Sequence, residues 1–211
     1  GKGAAGRIAI NKSLGRILGK GFLANDSANG IETVWNHVRA VLDSPLEEIE
    51  PYKSQLQDYL DNKLEKIAQL PLWISHYDLN EVNIIIDNDC QVTGLIDWEL
   101  STPLPFGVNL GRIHTIAGEY TGGEFWMPPE FEEAERGFWA EIFEAMPNDI
   151  CTWLEKHIDL VQDAVILGTL LNTFIVEEGV VMVSKVSLKA TPKFLTYRIP
   201  LVRGSEPPYS V

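Results

Sequence analysis

The chain has 211 residues, 45% of them hydrophobic and 22% charged, with a formal net charge of −13. That length and composition support one well-packed globular unit and exclude wholesale disorder, and the negative charge argues against general nucleic-acid binding, which wants a basic surface. No apolar run approaches the ~18–20 residues of a membrane span, and two cysteines, Cys90 and Cys151, are too few for a disulfide framework or a four-cysteine zinc site; a reducing, cytoplasmic setting is the simpler reading.

The chain opens on Gly1 rather than Met, as a processed chain or a fragment does. Residues 1–25 form a basic arm, with Lys2, Arg7, Lys12, Arg16 and Lys20 and no acid. A packed helix fits the spacing of Ile8, Leu14, Ile17 and Leu18, with a targeting peptide as the alternative. After a turn-rich break at 25–30, Ile31, Val34, Trp35, Val38 and Val41 follow the three-four rhythm of an amphipathic helix. Pro51 opens a second helix, where a missing N–H costs nothing, and Tyr52, Leu56, Tyr59, Leu60, Leu64 and Ile67 line its buried side.

The middle of the chain changes character. Val82–Asp87 and Val92–Asp97 are short β-branched runs separated by Asn88 and Asp89, which predicts the one clear strand pair of the chain, a hairpin. Residues 101–129, rich in Gly and Pro, read as loop. Phe131, Ala134, Phe138, Ile142 and Phe143 predict a helix ended by Pro147. Asp149 caps a further helical stretch running towards Glu178 and interrupted at Gly179, and residues 190–211 read as an extended tail.

The chemistry concentrates at the hairpin. Ser75-His76-Tyr77-Asp78-Leu79 is followed by Asn83, and fourteen residues after Asn83 comes Asp97 in Ile96-Asp97-Trp98-Glu99. This is the spacing of a kinase catalytic loop, H-x-D-L-x-x-x-N, followed by a hairpin and a metal-binding aspartate. Phosphoryl transfer asks little covalent chemistry of the protein. It needs a carboxylate to meet the acceptor hydroxyl, and an amide oxygen with a second carboxylate to hold magnesium on the nucleotide phosphates. A loop leading into a hairpin delivers all three to one mouth. In this reading Asp78 is the catalytic base, Asn83 and Asp97 are metal ligands, and His76 braces the loop through hydrogen bonds. A structural loop, with Asp78 capping a turn and Asn83 and Asp97 bounding strands, is the bland alternative.

The stretch Leu72–Gly107, with His76-Tyr77-Asp78-Leu79, Asn83, Gly94-Leu95-Ile96-Asp97-Trp98-Glu99 and Pro105-Phe106-Gly107, resembles the aminoglycoside phosphotransferase/choline kinase family, in particular its fungal branch. The resemblance implies an α+β, mainly helical fold: the C-terminal lobe of a protein-kinase-like domain spanning 1–211, with a small hairpin at 72–107 carrying the metal site. It implies Mg2+ and ATP, and transfer of the γ-phosphate to a hydroxyl of a small molecule. The family usually has Gly where Tyr77 stands, so this side chain either finds room beside the loop or meets the substrate. Acidic residues after the metal aspartate can meet cationic acceptors in this family. Glu99, Glu119 and Glu124 are the candidates here, the last two within a run of eight glutamates from Glu119 to Glu144 in which Arg136 is the sole Lys or Arg. Trp126 and Trp139 are candidates for an aromatic wall, against ordinary core packing.

Upstream of residue 72 there is no β-rich lobe with a glycine-rich loop and a strand lysine. Gly1-Lys2-Gly3-Ala4-Ala5-Gly6 matches G-x-G-x-x-G in letters, without a strand before it. The expected partners are therefore a small hydroxyl acceptor and a missing N-terminal lobe or a second copy of the chain, and neither nucleic acid nor membrane. The chain alone is expected to turn over negligibly. Two rival readings remain at this point: a non-catalytic pseudokinase or lobe fragment that binds, and a metal-dependent hydrolase built on Asp78, Asp97 and His76.

Overall fold

The acid-free opening forms helix α1 (Gly3–Leu18), which buries Leu14 and Leu18 completely or nearly so. The computed structural model describes residues 3–28, 30–99, 101–121 and 124–200; Gly1 and Lys2 of the glycine-rich opening lie outside the described residues, as do Pro207 and Pro208. Strand β1 (Phe22–Ala24) follows, and then α2 (Ile31–Asp43), whose buried Val34, Val38 and Val41 are the stripe read from sequence. The helix read from Pro51 begins earlier and is not uniform. A 3-10 segment, Glu47–Tyr52, contains Pro51 and leads into α3 (Lys53–Asp58), a π-helical turn at Tyr59–Lys63, and α4 (Leu64–Ile67).

Strand β2 (Leu72–Trp73) enters the chemistry-bearing loop, which ends in a 3-10 turn at Glu81–Asn83. The expected hairpin is present but shorter: β3 is Ile84–Ile86 and β4 is Val92–Leu95, so Val82 lies in the turn before the first strand and Asp97 lies beyond the second. Its loop is longer than two residues, because the Asp87 carboxylate accepts the N–H groups of Asp89 and Gln91 at 2.9 Å each. The stretch read as loop contains β5 (Leu104–Pro105), a 3-10 turn at Val108–Leu110, α5 (His114–Ala117), β6 (Glu119–Thr121) and β7 (Glu124–Trp126). These elements are only two to four residues long, too short for periodicity to register.

Helix α6 (Phe131–Ala145) is as read, and Gly15 and Gly19 of the α1 end press on it. A Cβ at Gly15 would stand 2.4 Å from the Phe138 carbonyl oxygen, so these positions need glycine for the close approach. Helix α7 (Asn148–Lys156) stops at His157, and α8 (Ile158–Thr173) ends before the expected Glu178. Residues 174–183 form instead a second hairpin, β8 (Phe174–Glu177) and β9 (Val180–Val183), turned by Glu178 (φ 50°) and Gly179 (φ 79°). Two central residues at positive φ are what a tight two-residue turn requires. Where an extended tail is expected from residue 190, helix α9 (Lys185–Phe194) holds Pro192 inside it, and Tyr197 and Ile199 beyond it are buried.

The strands form four small antiparallel sheets: β1–β2–β5, β3–β4, β6–β7 and β8–β9. In the first, Phe22 stands opposite Trp73 and Leu72 opposite Pro105; in the second, Ile84 stands opposite Leu95 and Ile85 opposite Gly94. The structure is α+β and mainly helical, around a main hydrophobic cluster that runs from Leu14 to Ile199 and a small second one of Ala117, Phe131 and Ala134. Helix α8 is its axis, with every residue from Ala164 to Thr173 buried. Among the described residues, no helix is long and apolar enough to cross a membrane.

One polar knot lies inside this core. The Glu135 carboxylate accepts from His114 Nδ1 at 3.0 Å and from the Tyr197 hydroxyl at 2.6 Å, and Trp139 Nε1 donates to that hydroxyl at 2.8 Å. Trp139 is therefore a core residue and no part of a ligand wall.

Candidate functional site

The loop between β2 and β3 is held by its own amides. Asn80 accepts the Val82 N–H at 3.0 Å, starting the 3-10 turn, while its Nδ2 donates to the Asp78 carbonyl at 3.1 Å. Asn83 Nδ2 donates to the same carbonyl at 2.9 Å and reaches Asp78 Oδ2 at 3.5 Å. Leu79 is buried beneath them. These contacts fix the backbone of Asp78 and leave its half-exposed carboxylate at the surface.

The second loop is stitched to the first. The Ile96 N–H donates to the Asn83 carbonyl at 3.1 Å, which brings Asp97 beside Asn83. His76 Nε2 donates to the Ile96 carbonyl at 2.6 Å, and its ring meets Trp98 edge-on at 4.9 Å between centroids. Ser101 Oγ accepts the Tyr77 N–H at 3.1 Å. His76 is 1% exposed and so acts as a brace between the loops; a hydrolase using it as a metal ligand finds Nε2 already committed. Asp97 is exposed, has φ 67° and no hydrogen-bond partner among the described residues. Asp is among the few non-glycine residues that adopt this left-handed region readily, and here it sets the chain just beyond the hairpin.

The donor set suits a hard divalent cation. The Asn83 amide spends its nitrogen on Asp78, which leaves its amide oxygen as an acceptor, and the Asp97 carboxylate is without a partner among the described residues. No cluster of three His, Cys, Asp or Glu side chains stands ready for a metal among the described residues. A cation bound by Asn83 and Asp97 would complete its shell with phosphate oxygens and water, as magnesium does at nucleotide sites.

Two cavities flank the loop. One of about 820 Å³ is lined by Arg7 and Ile10 of α1, Glu81 and Ile84 from the loop and β3, and Tyr120 and Trp126 from β6 and β7. One of about 230 Å³ is lined by Tyr77, His37 of α2, Asn172 of α8 and Glu177 of β8. Tyr77 thus finds its room on this second side. Burial raises its phenol above the ordinary value, Arg112 opposing the shift, with Glu177 and Asp78 adding to it. Burial likewise lowers His37, whose Nε2 donates to the Phe174 carbonyl at 2.6 Å.

Half of the acidic run, four of its eight glutamates, is spoken for. Glu119 and Glu130 both pair with Arg7, the latter at 3.0 Å; Glu141 pairs with Arg16 at 3.0 Å; and Glu135 belongs to the buried knot. Glu119 lines the larger cavity with its charge already met, and Glu124 and Glu99 are exposed elsewhere. The structure therefore brings Asn83 onto Asp78 and ties the residue before Asp97 to the Asn83 backbone, with Tyr77 on the same loop and Glu124 on the separate β6–β7 hairpin.

The residue missed from sequence is Arg112, whose Nη1 forms an ion pair with Asp78 Oδ1. A signal existed: Arg112 is the only Lys or Arg between Lys66 and Arg136. The phosphotransferase enzyme family (APH) matches residues 20–147, a span that holds Asp78, Asn83, Asp97 and Arg112. The comparison with curated proteins gives no match.

Proposed function

The chain belongs to the APH phosphotransferase enzyme family, whose match covers more than half of it, and from that premise we propose that it moves the γ-phosphoryl group of ATP to a hydroxyl of a small molecule. The observation that supports this reading is that Asn83 bonds to Asp78 and that the Ile96 N–H, one residue before Asp97, bonds to the Asn83 carbonyl. Asp78 is the base that takes the acceptor's proton, and Asn83 and Asp97 hold magnesium on the nucleotide phosphates. Magnesium, when bound, neutralises charge on the phosphates. His76 keeps the two loops in register.

The described body serves, in this reading, as the lobe that carries the catalytic loop. An exposed apolar strip beside the mouth supports it: Val82, Ile85 and Ile96 are 77%, 48% and 49% exposed, a surface fit for a flat base or a covering lobe. The large cavity, with Tyr120, Trp126 and Glu81, is a wall for the acceptor and tolerates a cationic one.

The test is phosphate transfer from γ-labelled ATP with Mg2+ to a panel of amino alcohols and neutral polyols. Slow transfer that Asp78→Asn removes, with Mg2+-dependent nucleotide binding that Asp97→Asn weakens, supports the reading. Nucleotide binding indifferent to Mg2+ and to Asp97→Asn overturns it; binding without transfer to any acceptor leaves the binding-module reading.

A further inference from the structure

The cavity of about 820 Å³ is large enough for a drug-sized molecule, and much of its wall is apolar. Ile10 comes from α1, Ile84 and Ile86 from one face of β3, Ile116 from α5, and Tyr120 and Trp126 from β6 and β7. These side chains are not all drawn into the core. Ile86, Tyr120 and Trp126 stay 37%, 37% and 50% exposed. The hairpin that carries the two aromatics is nonetheless anchored, because Phe125 packs edge-on against Phe194 at 4.7 Å and Phe131 at 6.2 Å between ring centroids. Apolar surface left wet inside a concavity gains from a ligand that covers it.

The charges on the wall narrow the choice of ligand. Arg7 is spent: Nε donates to Glu130 at 3.0 Å, Nη1 to the Gly118 carbonyl at 3.1 Å, and Nη2 to Glu119. Among the described residues no other Lys or Arg lines the cavity, whereas Glu81 adds a third carboxylate. Three carboxylates against one guanidinium leave the wall negative, so an anion is repelled and a basic group is met. Aromatic rings such as Tyr120 and Trp126 also attract a cation.

We propose that this cavity binds a ring-bearing, largely apolar molecule that carries one basic group. A hydrophilic polyamine has nothing to set against the isoleucines. The site stands on its own walls; that its ligand is the phosphoryl acceptor rests on the phosphotransferase reading. The walls do lead back to Asp78. Glu81 opens the 3-10 turn whose Asn83 donates to the Asp78 carbonyl, and the Thr115 hydroxyl donates to the carbonyl of Arg112, the ion-pair partner of Asp78. In that reading the ligand's hydroxyl oxygen bonds to phosphorus as the bond to ADP breaks, and the hydroxyl proton passes to Asp78. The cavity holds the ring, and the basic group takes no part in the transfer.

Calorimetric titration of the full chain with naphthylmethylamine, without nucleotide or Mg2+, tests the site. The wild type is expected to bind it saturably, one molecule per chain. Naphthoate, the same ring with a carboxylate, should bind about tenfold more weakly, and spermidine, charge without a ring, should not saturate. Trp126→Ala should weaken the amine about tenfold and Ile86→Asn severalfold, with melting curves close to wild type, since both side chains are exposed. Glu81→Gln, at an exposed position of the rim, guards against a folding defect: it should weaken the amine and leave neutral naphthylmethanol unchanged. No saturable binding of the amine, naphthoate or spermidine binding as tightly as the amine, or an affinity unmoved by all three substitutions overturns the proposal. Mg2+-dependent nucleotide binding beside a failure of the amine rejects this site alone, whereas amine binding in a chain without such nucleotide binding rejects the phosphotransferase reading alone.

Discussion

Asp97 and Glu135 are both carboxylates on the segment that follows the hairpin, and the fold treats them in opposite ways. Glu135 is 1% exposed, with a histidine on one oxygen and a tyrosine on the other. Asp97 is exposed, unpartnered among the described residues and held at a positive φ. The buried knot gives both oxygens of its carboxylate a partner, while the Asp97 carboxylate has none among the described residues. The contrast separates a carboxylate already partnered in the core from one left open to a ligand, which charge counting does not do. The acidic run looks like a ligand surface in sequence, yet it meets Arg7, Arg16 and His114 in space.

Substitutions can break or sharpen that contrast. The largest effect is expected at the mouth: Asp78→Asn should lower phosphate transfer by about 10²–10⁴-fold with folding intact, since a general base acts on the reacting proton. A transfer assay beside a melting curve checks both halves. In the knot, Glu135→Ala strands His114 and Tyr197 in the core and should cost about 3–5 kcal/mol of stability, read by denaturant unfolding. Gly168→Ala should cost about 1–3 kcal/mol, because its Cβ would meet the Val108 carbonyl oxygen at 2.0 Å, backbone against backbone.

A smaller effect belongs to His37, whose folded-state pKa lies below its ordinary 6.5 chiefly through burial. The unfolded chain then binds the extra proton first, so stability is full above about 6.5 and is lost as pH falls towards the lowered value. Melting temperatures at pH 7.5 and 5.5 should differ less in His37→Gln than in the wild type. The smallest effect completes the contrast: Asp97→Asn should leave stability within about 0.5 kcal/mol, since asparagine also tolerates positive φ and no partner is lost. A large destabilisation there would place Asp97 with Glu135 and dissolve the distinction.

What sequence could and could not show follows the same physics. Helices α2 and α6 each bury one stripe, so Val34, Val38 and Val41, or Ala134, Phe138 and Ile142, stand out at three-four spacing. The loop and hairpin were legible because their logic is local: Asp78, Asn80 and Asn83 bond within one loop, and a short hairpin returns the chain to Asp97. Helix α8 is buried on all sides, so it has no stripe, and its apolar run passes into β8 without punctuation until Glu178-Gly179, which turns a hairpin rather than breaking a helix. Pro192 read as the start of an extended tail, yet α9 accommodates it because tertiary contacts hold the helix, among them the Thr191–Thr173 hydroxyl bond at 2.8 Å. Arg112 meets Asp78 from 34 residues away, beyond any local pattern.

The seating of α1 on α6 carries a consequence for how the chain is made. Arg7 meets Glu130 across 123 residues of sequence. At roughly 5–20 residues per second of synthesis, α1 waits on the order of 6–25 s after its own emergence before its cover exists. For that interval Gly15 and Gly19 lack the α6 surface they fit, although Leu18 and Ser13 already have Trp73 and Val92 to bond, and Arg7 and Arg16 lack the glutamates that later offset them. Helix α1 is thus built well before the helix it docks on. Slowing translation across 131–145 should lengthen that exposure and raise the share of chain captured by chaperones, with the finished protein unchanged.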